Sequence, residues 1–250
     1  MSGRLSQRRV VVTGGGRGLG RAIALAAARE GAAVGLVGRT QQALDEAADE
    51  ARSNGVDAAA VAADVADPAA VEAAVGNLAE ALGGIDGLVT AAAVDCAWAP
   101  TAEMELAEWD RTVAVNLSGA FYCCRFALPH LVAAGAGAIV NITSVAGERA
   151  WAEDVAYNAS KAGVELLTRT IAVEYAARGV RANCLSLGAI DAGMTDELRD
   201  IDERERLRAQ HPIGRFGTPE EVAEAAVWLL SDAASFTTGT TLRVDGGFLA

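Results

Sequence analysis

The chain contains a single lysine, Lys161, and its other permanently charged basic side chains are all arginines. That lysine follows Tyr157 by four residues, in the run Tyr157-Asn158-Ala159-Ser160-Lys161. On a helix, residues i and i+4 share a face, so this spacing brings an ammonium near a phenol. A cation there favours phenolate and draws the phenol pKa from about 10 toward neutrality. A phenol tuned in this way can exchange a proton with a hydroxyl or a carbonyl oxygen. An arginine would bring the same charge, but its planar fork suits a compact contact with a phenol and a ribose diol less well.

Two polar residues upstream belong to the same argument. Ser144 closes the run Asn141-Ile142-Thr143-Ser144, thirteen residues before Tyr157. Ligands of doubly wound sheets bind beyond the carboxyl ends of the strands, where the Ser144 hydroxyl can hold a reacting oxygen. Asn116 interrupts an otherwise apolar helical stretch as Val115-Asn116-Leu117. A buried amide there needs partners and can hold a water near the lysine.

The run Thr13-Gly14-Gly15-Gly16-Arg17-Gly18-Leu19-Gly20 stands between an apolar stretch and an apolar-periodic helix. Its glycines allow a tight turn and a close approach of backbone to a pyrophosphate, with the helix N–H groups facing the anion. The spacing, G-x-x-x-G-x-G, departs from the usual dinucleotide fingerprint, and no Gly-Lys-Ser/Thr follows, which argues against a P-loop. About 20 residues further on, an NAD site would carry an acid for the ribose 2′-hydroxyl. Here the second strand ends Leu36-Val37-Gly38-Arg39. Gly38 removes the carboxylate that would repel a 2′-phosphate, and Arg39, with Arg17 from the glycine turn, offers forked charge to bind one. The reading is NADP(H) in preference to NAD(H).

The elements that must position these groups follow from periodicity. Short apolar runs at 9–13, 33–37, 58–62, 87–89, 138–142 and 182–187 predict buried strands, and 19–29, 41–54, 68–82, 109–130 and 155–178 predict helices. Regular alternation of strand and helix means βαβ units and an α/β fold, a parallel sheet covered on both faces. Asp67-Pro68 and Thr218-Pro219-Glu220-Glu221 have the cap, first-turn proline and acids of helix starts. Residues 196–208, rich in acids and arginines, predict an exposed charge-laced helix or a mobile flap over the site.

Composition narrows the function classes. With 52% hydrophobic and 22% charged residues the chain reads as globular, and its net charge of −12 disfavours nucleic acid and anionic membrane surfaces. Cys96, Cys123, Cys124 and Cys184 form no C-x-x-C pair, which predicts reduced thiols in the cytoplasm. His130 and His211 lie far apart without metal-ligand spacing, so no metal is expected. No uninterrupted apolar stretch of membrane length and no secretory h-region is evident. One domain over residues 1–250 is the expectation, with 191–215 as a substrate-covering insertion within it.

Taken together, Thr13-Gly14-x-x-x-Gly18-x-Gly20, Asp64-Val65, Asn116, Ser144, Tyr157-x-x-x-Lys161 and Val244-Asp245-Gly246-Gly247 resemble the short-chain dehydrogenase/reductase family over nearly the whole chain. The resemblance implies a single Rossmann-type doubly wound parallel sheet of about seven strands, a nicotinamide dinucleotide and a homotetramer. It implies that Tyr157 is the proton donor and acceptor, and that Lys161 lowers its pKa and binds the nicotinamide ribose. Ser144 would position the substrate oxygen and Asn116 would support a proton-relay water. The cofactor contacts it implies are Gly14, Arg17, Gly18, Leu19, Gly20, Arg39, Asp64, Val65, Asn116, Tyr157, Lys161 and Ile190, with Asp64 at the adenine. Three places depart from the family pattern: Thr90-Ala91-Ala92-Ala93, Leu187-Gly188 and Ala192. The expected activity is interconversion of a ketone or aldehyde with its alcohol. The alternatives are a non-catalytic dinucleotide-binding sensor or subunit, and a dehydratase or epimerase on the same scaffold.

Overall fold

Val10 and Val12 point to one face of the first strand and Val11 to the other, and all three are buried, as a parallel sheet packed on both sides requires. The computed structural model describes residues 3–192 and 201–250. Seven strands build the sheet: β1 (Arg9–Thr13), β2 (Ala33–Gly38), β3 (Ala58–Ala62), β4 (Gly87–Thr90), β5 (Gly137–Ser144), β6 (Val180–Leu187) and β7 (Thr241–Val244). All pair in parallel, in the order β3-β2-β1-β4-β5-β6-β7. Helices α1 (Gly18–Arg29), α2 (Gln41–Arg52) and α8 (Pro219–Leu230) bury one core around Val12, Leu36, Val140 and Leu185. On the opposite face α3 (Pro68–Leu82), α5 (Gly119–Ala134) and α6 (Val155–Tyr175) bury a second around Val11, Leu88 and Ile139. The strand order reverses between β1 and β4, so the carboxyl ends of those two strands open the crevice in which such sheets bind ligands.

The predicted helix starts have the expected chemistry. The Asp67 carboxylate accepts from the backbone N–H of Ala69 and Ala70 at 2.9 and 3.3 Å, Pro68 follows it, and Gly83 ends α3 in the left-handed region at φ +75°. Thr218 and Glu221 form a reciprocal capping box on α8.

Differences from the sequence reading lie mainly in the second half. The helix expected over 109–130 is α4 (Leu106–Val113), a π-helical turn over Ala114–Ser118 that contains Asn116, and then α5. Together, Leu106–Ala134 is 29 residues long and apolar enough to cross a bilayer by length and composition. Here its buried stripe, including Cys123, Cys124, Ala127 and Leu131, packs into the second core. The seventh strand, Thr-Leu-Arg-Val, is a half-exposed edge with no apolar run to announce it. Of the charged segment expected over 196–208, α7 (Ile201–Ala209) is described, and residues 193–200 of the expected covering insertion 191–215 lie outside the described residues. The four cysteines are buried and unpaired.

Candidate active site

At the end of β1 the backbone reverses at Gly14, φ +69°, and again at Gly18, φ +53°. A Cβ on Gly20 would stand 2.4 Å from the Gly14 carbonyl oxygen, so helix and turn touch backbone to backbone there. Space over Gly18 is open, with nothing within 4 Å of a Cβ built on it. Arg17 occupies the N-cap position of α1 without a side-chain hydrogen bond, which leaves the leading N–H groups of that helix directed into the open space. These features fit a pyrophosphate laid across the turn. Leu19, on the first turn of α1, packs against the first core.

Around the turn, Gly15 N–H donates to the Val37 carbonyl at 3.2 Å, and the Thr13 hydroxyl accepts from the N–H groups of Ala91 and Ala92. A Cβ on Gly14 would meet Ala92 N at 3.0 Å. The close approach of the turn after β1 to the loop after β4 therefore rests on Gly14. Thr90, another departure from the family pattern, donates from its hydroxyl to the Asn141 amide oxygen at 2.7 Å. Arg17 and Arg39 are exposed, and among the described residues neither side chain has an ion pair or hydrogen bond. Asp64 is exposed and accepts from Ala66 N–H, while Val65 is buried beside Gly119.

The second group of residues gathers at the carboxyl ends of β5 and β6. Ser144 ends β5, and its hydroxyl accepts from Ala146 N–H at 3.2 Å. Tyr157 and Lys161 lie one turn apart near the start of α6, with the Lys161 ammonium 5.3 Å from the centre of the phenol ring. Lys161 is 4% exposed and donates to the Ile142 carbonyl at 3.1 Å. Asn116, carried inward by the π turn, accepts from Val94 N–H at 2.8 Å. Its amide nitrogen donates to the Val94 carbonyl at 2.9 Å and toward the Ser160 hydroxyl at 3.3 Å. The Asn116 side chain therefore fastens the loop after β4. Ile190 is buried in the loop after β6, where it forms a parallel bridge with Gly217.

The sequence reading missed Asp95, Cys96 and Asp154, whose ligand atoms lie within 4.8 Å of one another. The Cys96 thiol donates to Asp154 Oδ1 at 3.1 Å, and Arg111 holds the Asp95 carbonyl. Burial pushes the Asp154 carboxyl up to about 6 and, with the Asp154 hydrogen bond, the Cys96 thiol up to about 11. Cys96 and Asp154 thus form a thiol–carboxylate hydrogen bond. One signal was available: Asp154 precedes Tyr157 by three residues, one helical turn.

Other groups around the phenol also act on its proton affinity. Burial is the largest influence and raises the Tyr157 pKa above its ordinary value; the charges of Asp95 and Asp154 add to it, and Ser144 opposes it by hydrogen bonding. Lys161 itself is pushed down to about 8 by burial. Its ammonium stands 5.3 Å from the centre of the phenol ring. A concavity of about 850 Å³ lies elsewhere, between α3, α5 and the carboxyl-terminal half of α6, lined by Phe121, Leu128, Leu167 and Tyr175.

A family profile described as enoyl-(acyl carrier protein) reductase matches residues 14–249. Cis-4-hydroxycyclohexanecarboxylate dehydrogenase of Sinomonas cyclohexanicum is 42% identical over 245 residues, covering 98% of each chain. 2-Dehydro-3-deoxy-L-rhamnonate dehydrogenase (NAD(+)) of Sphingomonas sp. is 38% identical over 246 residues, 98% of this chain and 97% of its own. The solved structure of a dehydrogenase/reductase from Sinorhizobium meliloti matches with a TM-score of 0.92 at 36% identity, covering 98% of this chain and 96% of its own. The chain belongs to the short-chain dehydrogenase/reductase family, as an oxidoreductase that acts on CH–OH groups with a nicotinamide dinucleotide.

Proposed function

We propose that the protein interconverts a small-molecule ketone or aldehyde and its alcohol with NADP(H) in preference to NAD(H), and that Tyr157 exchanges the proton. The observation that carries this reading is the meeting of Ser144, Tyr157 and Lys161 at the carboxyl ends of β5 and β6, beside the open glycine turn. A bound nicotinamide supplies or accepts the hydride. Ser144 Oγ holds the substrate oxygen, and Tyr157 gives its phenolic proton to that oxygen in reduction and recovers one in oxidation. Lys161, anchored on Ile142, places a positive charge against the phenol and near the ribose. Asn116 positions the loop that borders the phenol by its paired bonds to Val94.

The cofactor preference rests on Arg17 and Arg39, two exposed side chains without partners among the described residues, and on a glycine where a carboxylate would oppose a 2′-phosphate. We infer a cytoplasmic homotetramer built on the outer faces of α5 and α6, whose exposed Phe121, Leu166 and Val173 are suited to burial against copies of the same chain. The proposal includes one domain over residues 1–250, with 191–215 covering the substrate.

Tyr157→Phe assayed against a panel of carbonyls and alcohols tests the reaction. The expected result is a loss of about a hundredfold or more in turnover with little change in dinucleotide affinity. A wild type inactive on every class of substrate, with cofactor bound equally by both proteins, would contradict it.

A further inference from the structure

His211 lies outside every group so far assigned, yet it is 3% exposed and both ring nitrogens are engaged. Ala189 N–H donates to its Nε2 at 3.0 Å, and its Nδ1 stands 2.9 Å from the Leu207 carbonyl oxygen. A backbone N–H can only donate and a carbonyl can only accept, so the ring must be neutral with its proton on Nδ1. Its faces and edges are closed by Phe248, at 5.1 Å between ring centres, and Phe216, at 6.0 Å.

The two hydrogen bonds join two different structures. Leu207 belongs to α7, within the segment expected to cover the substrate. Ala189 belongs to the loop after β6 that carries Ile190. The packing at that joint is tight: a Cβ on Gly188 would lie 2.8 Å from His211 Nε2 and 2.9 Å from Asp245 Cα, so glycine there admits the ring. Gly188 N–H and Gly217 N–H fix the same loop through the carbonyls of Val244 and Ala189.

We propose that His211 is a positioning residue for the nicotinamide end of the cofactor, a neutral clamp that holds the Ala189–Ile190 backbone against α7. The inference rests on the dinucleotide reading above, because it takes the loop after β6 as the nicotinamide contact. Losing the clamp loosens that backbone and weakens cofactor binding, while the proton-exchanging residues on α6 stay in place.

Three measurements on the full-length protein test it. Nitrogen-15 NMR of the ring, in a chain with two histidines and with His130→Gln to assign them, should show Nδ1 protonated and Nε2 bare. His211→Phe keeps the bulk and removes both bonds. It should speed amide exchange at Ala189 and weaken NADPH binding by about fivefold to tenfold, with kcat at saturating cofactor changed less than about twofold. His211→Gln, whose carbonyl can reach Ala189 N–H, should restore much of the affinity. An Nε2-protonated ring overturns the clamp even where a variant fails to fold. Unchanged exchange and affinity in a folded His211→Phe overturn it as well. A wild type that binds no dinucleotide defeats the functional reading instead, and the tautomer and the Ala189 amide still report on the clamp.

Discussion

The two ends of the site are made in different ways. The proposed nucleotide end is built from consecutive residues, Thr13 to Gly20, through their backbone conformation. The proposed catalytic end is built from side chains that arrive from the π turn, the loop after β4, the end of β5 and the first turns of α6. At the first end a single added methyl group meets backbone. At the second, the important quantities are burial and charge, and two ionisable groups there are held against their ordinary preference, Lys161 down to about 8 and Asp154 up to about 6. A site made of contiguous backbone fails by collision, whereas a site made of converging side chains fails by a shift in proton affinity.

The largest effect belongs to the backbone end. Gly20→Ala sets a Cβ 2.4 Å from the Gly14 carbonyl, and dinucleotide binding should fall by about a hundredfold with a loss of about 1–3 kcal/mol of stability. Gly18→Ala also weakens dinucleotide binding, because its Cβ stands where the pyrophosphate would lie, but in the cofactor-free protein it meets open space and should cost only the left-handed backbone conformation, about 1–2 kcal/mol. A cofactor-free Gly20→Ala as stable to thermal unfolding as the wild type would remove collision as the cause.

Next in size is the change of cofactor preference. Gly38→Asp with Arg39→Ala should turn an NADPH preference of about tenfold or more into a preference for NADH, because two charge-assisted contacts are opposed or lost. A Cβ at position 38 meets Leu44 Cδ2 at 3.3 Å, so Gly38→Ala serves as the size control and should leave the ratio nearly unchanged. Dissociation constants for both dinucleotides decide it, and tighter NADH binding by the wild type would refute the assignment.

Lys161→Met should act on charge. It should raise the kinetic pKa of alcohol oxidation and weaken cofactor binding by about tenfold. It should also raise stability near neutral pH. The folded pKa of Lys161 is lowered, so its stability contribution is present above the unfolded value of about 10.5 and is lost as pH falls through about 8. At neutral pH the buried ammonium therefore costs stability on the order of 2 kcal/mol. An unchanged pH profile with normal affinity would take Lys161 out of the mechanism.

This difference between the ends also decides what was legible in sequence. Strand β1, the glycine turn and the caps at Asp67 and Thr218 are local, and each was readable because a few neighbouring residues determine its backbone. Tyr157, Lys161 and Ser144 were singled out by their spacing and strand-end position, and the fold brings them together. Strand β7 was not, because a short edge strand needs no apolar run. The π turn that aims Asn116 at Val94 was hidden inside an even helical pattern. Asp95 and Cys96 were hidden too, since they reach Asp154 across 58 positions of sequence between Cys96 and Asp154. Burial, the largest influence on the phenol, and the charges of Asp95 and Asp154 come from folding, and none of them was visible in the tyrosine–lysine spacing.

The most direct test is therefore a spectroscopic pH titration of the three tyrosines in the cofactor-free protein, with Tyr157→Phe to assign the signal and Asp154→Asn to perturb it. Asparagine keeps an oxygen for the Cys96 thiol and removes the charge. Because the Asp154 pKa is raised on folding, its stability contribution is lost as pH rises from about 3.8 through about 6, so Asp154→Asn should also stabilise the protein above that window by on the order of 2 kcal/mol. The expected result is a Tyr157 that ionises above the ordinary phenol value of about 10 and moves down in Asp154→Asn. A Tyr157 that ionises below that value in the cofactor-free wild type, or does not respond to Asp154→Asn, would contradict the account.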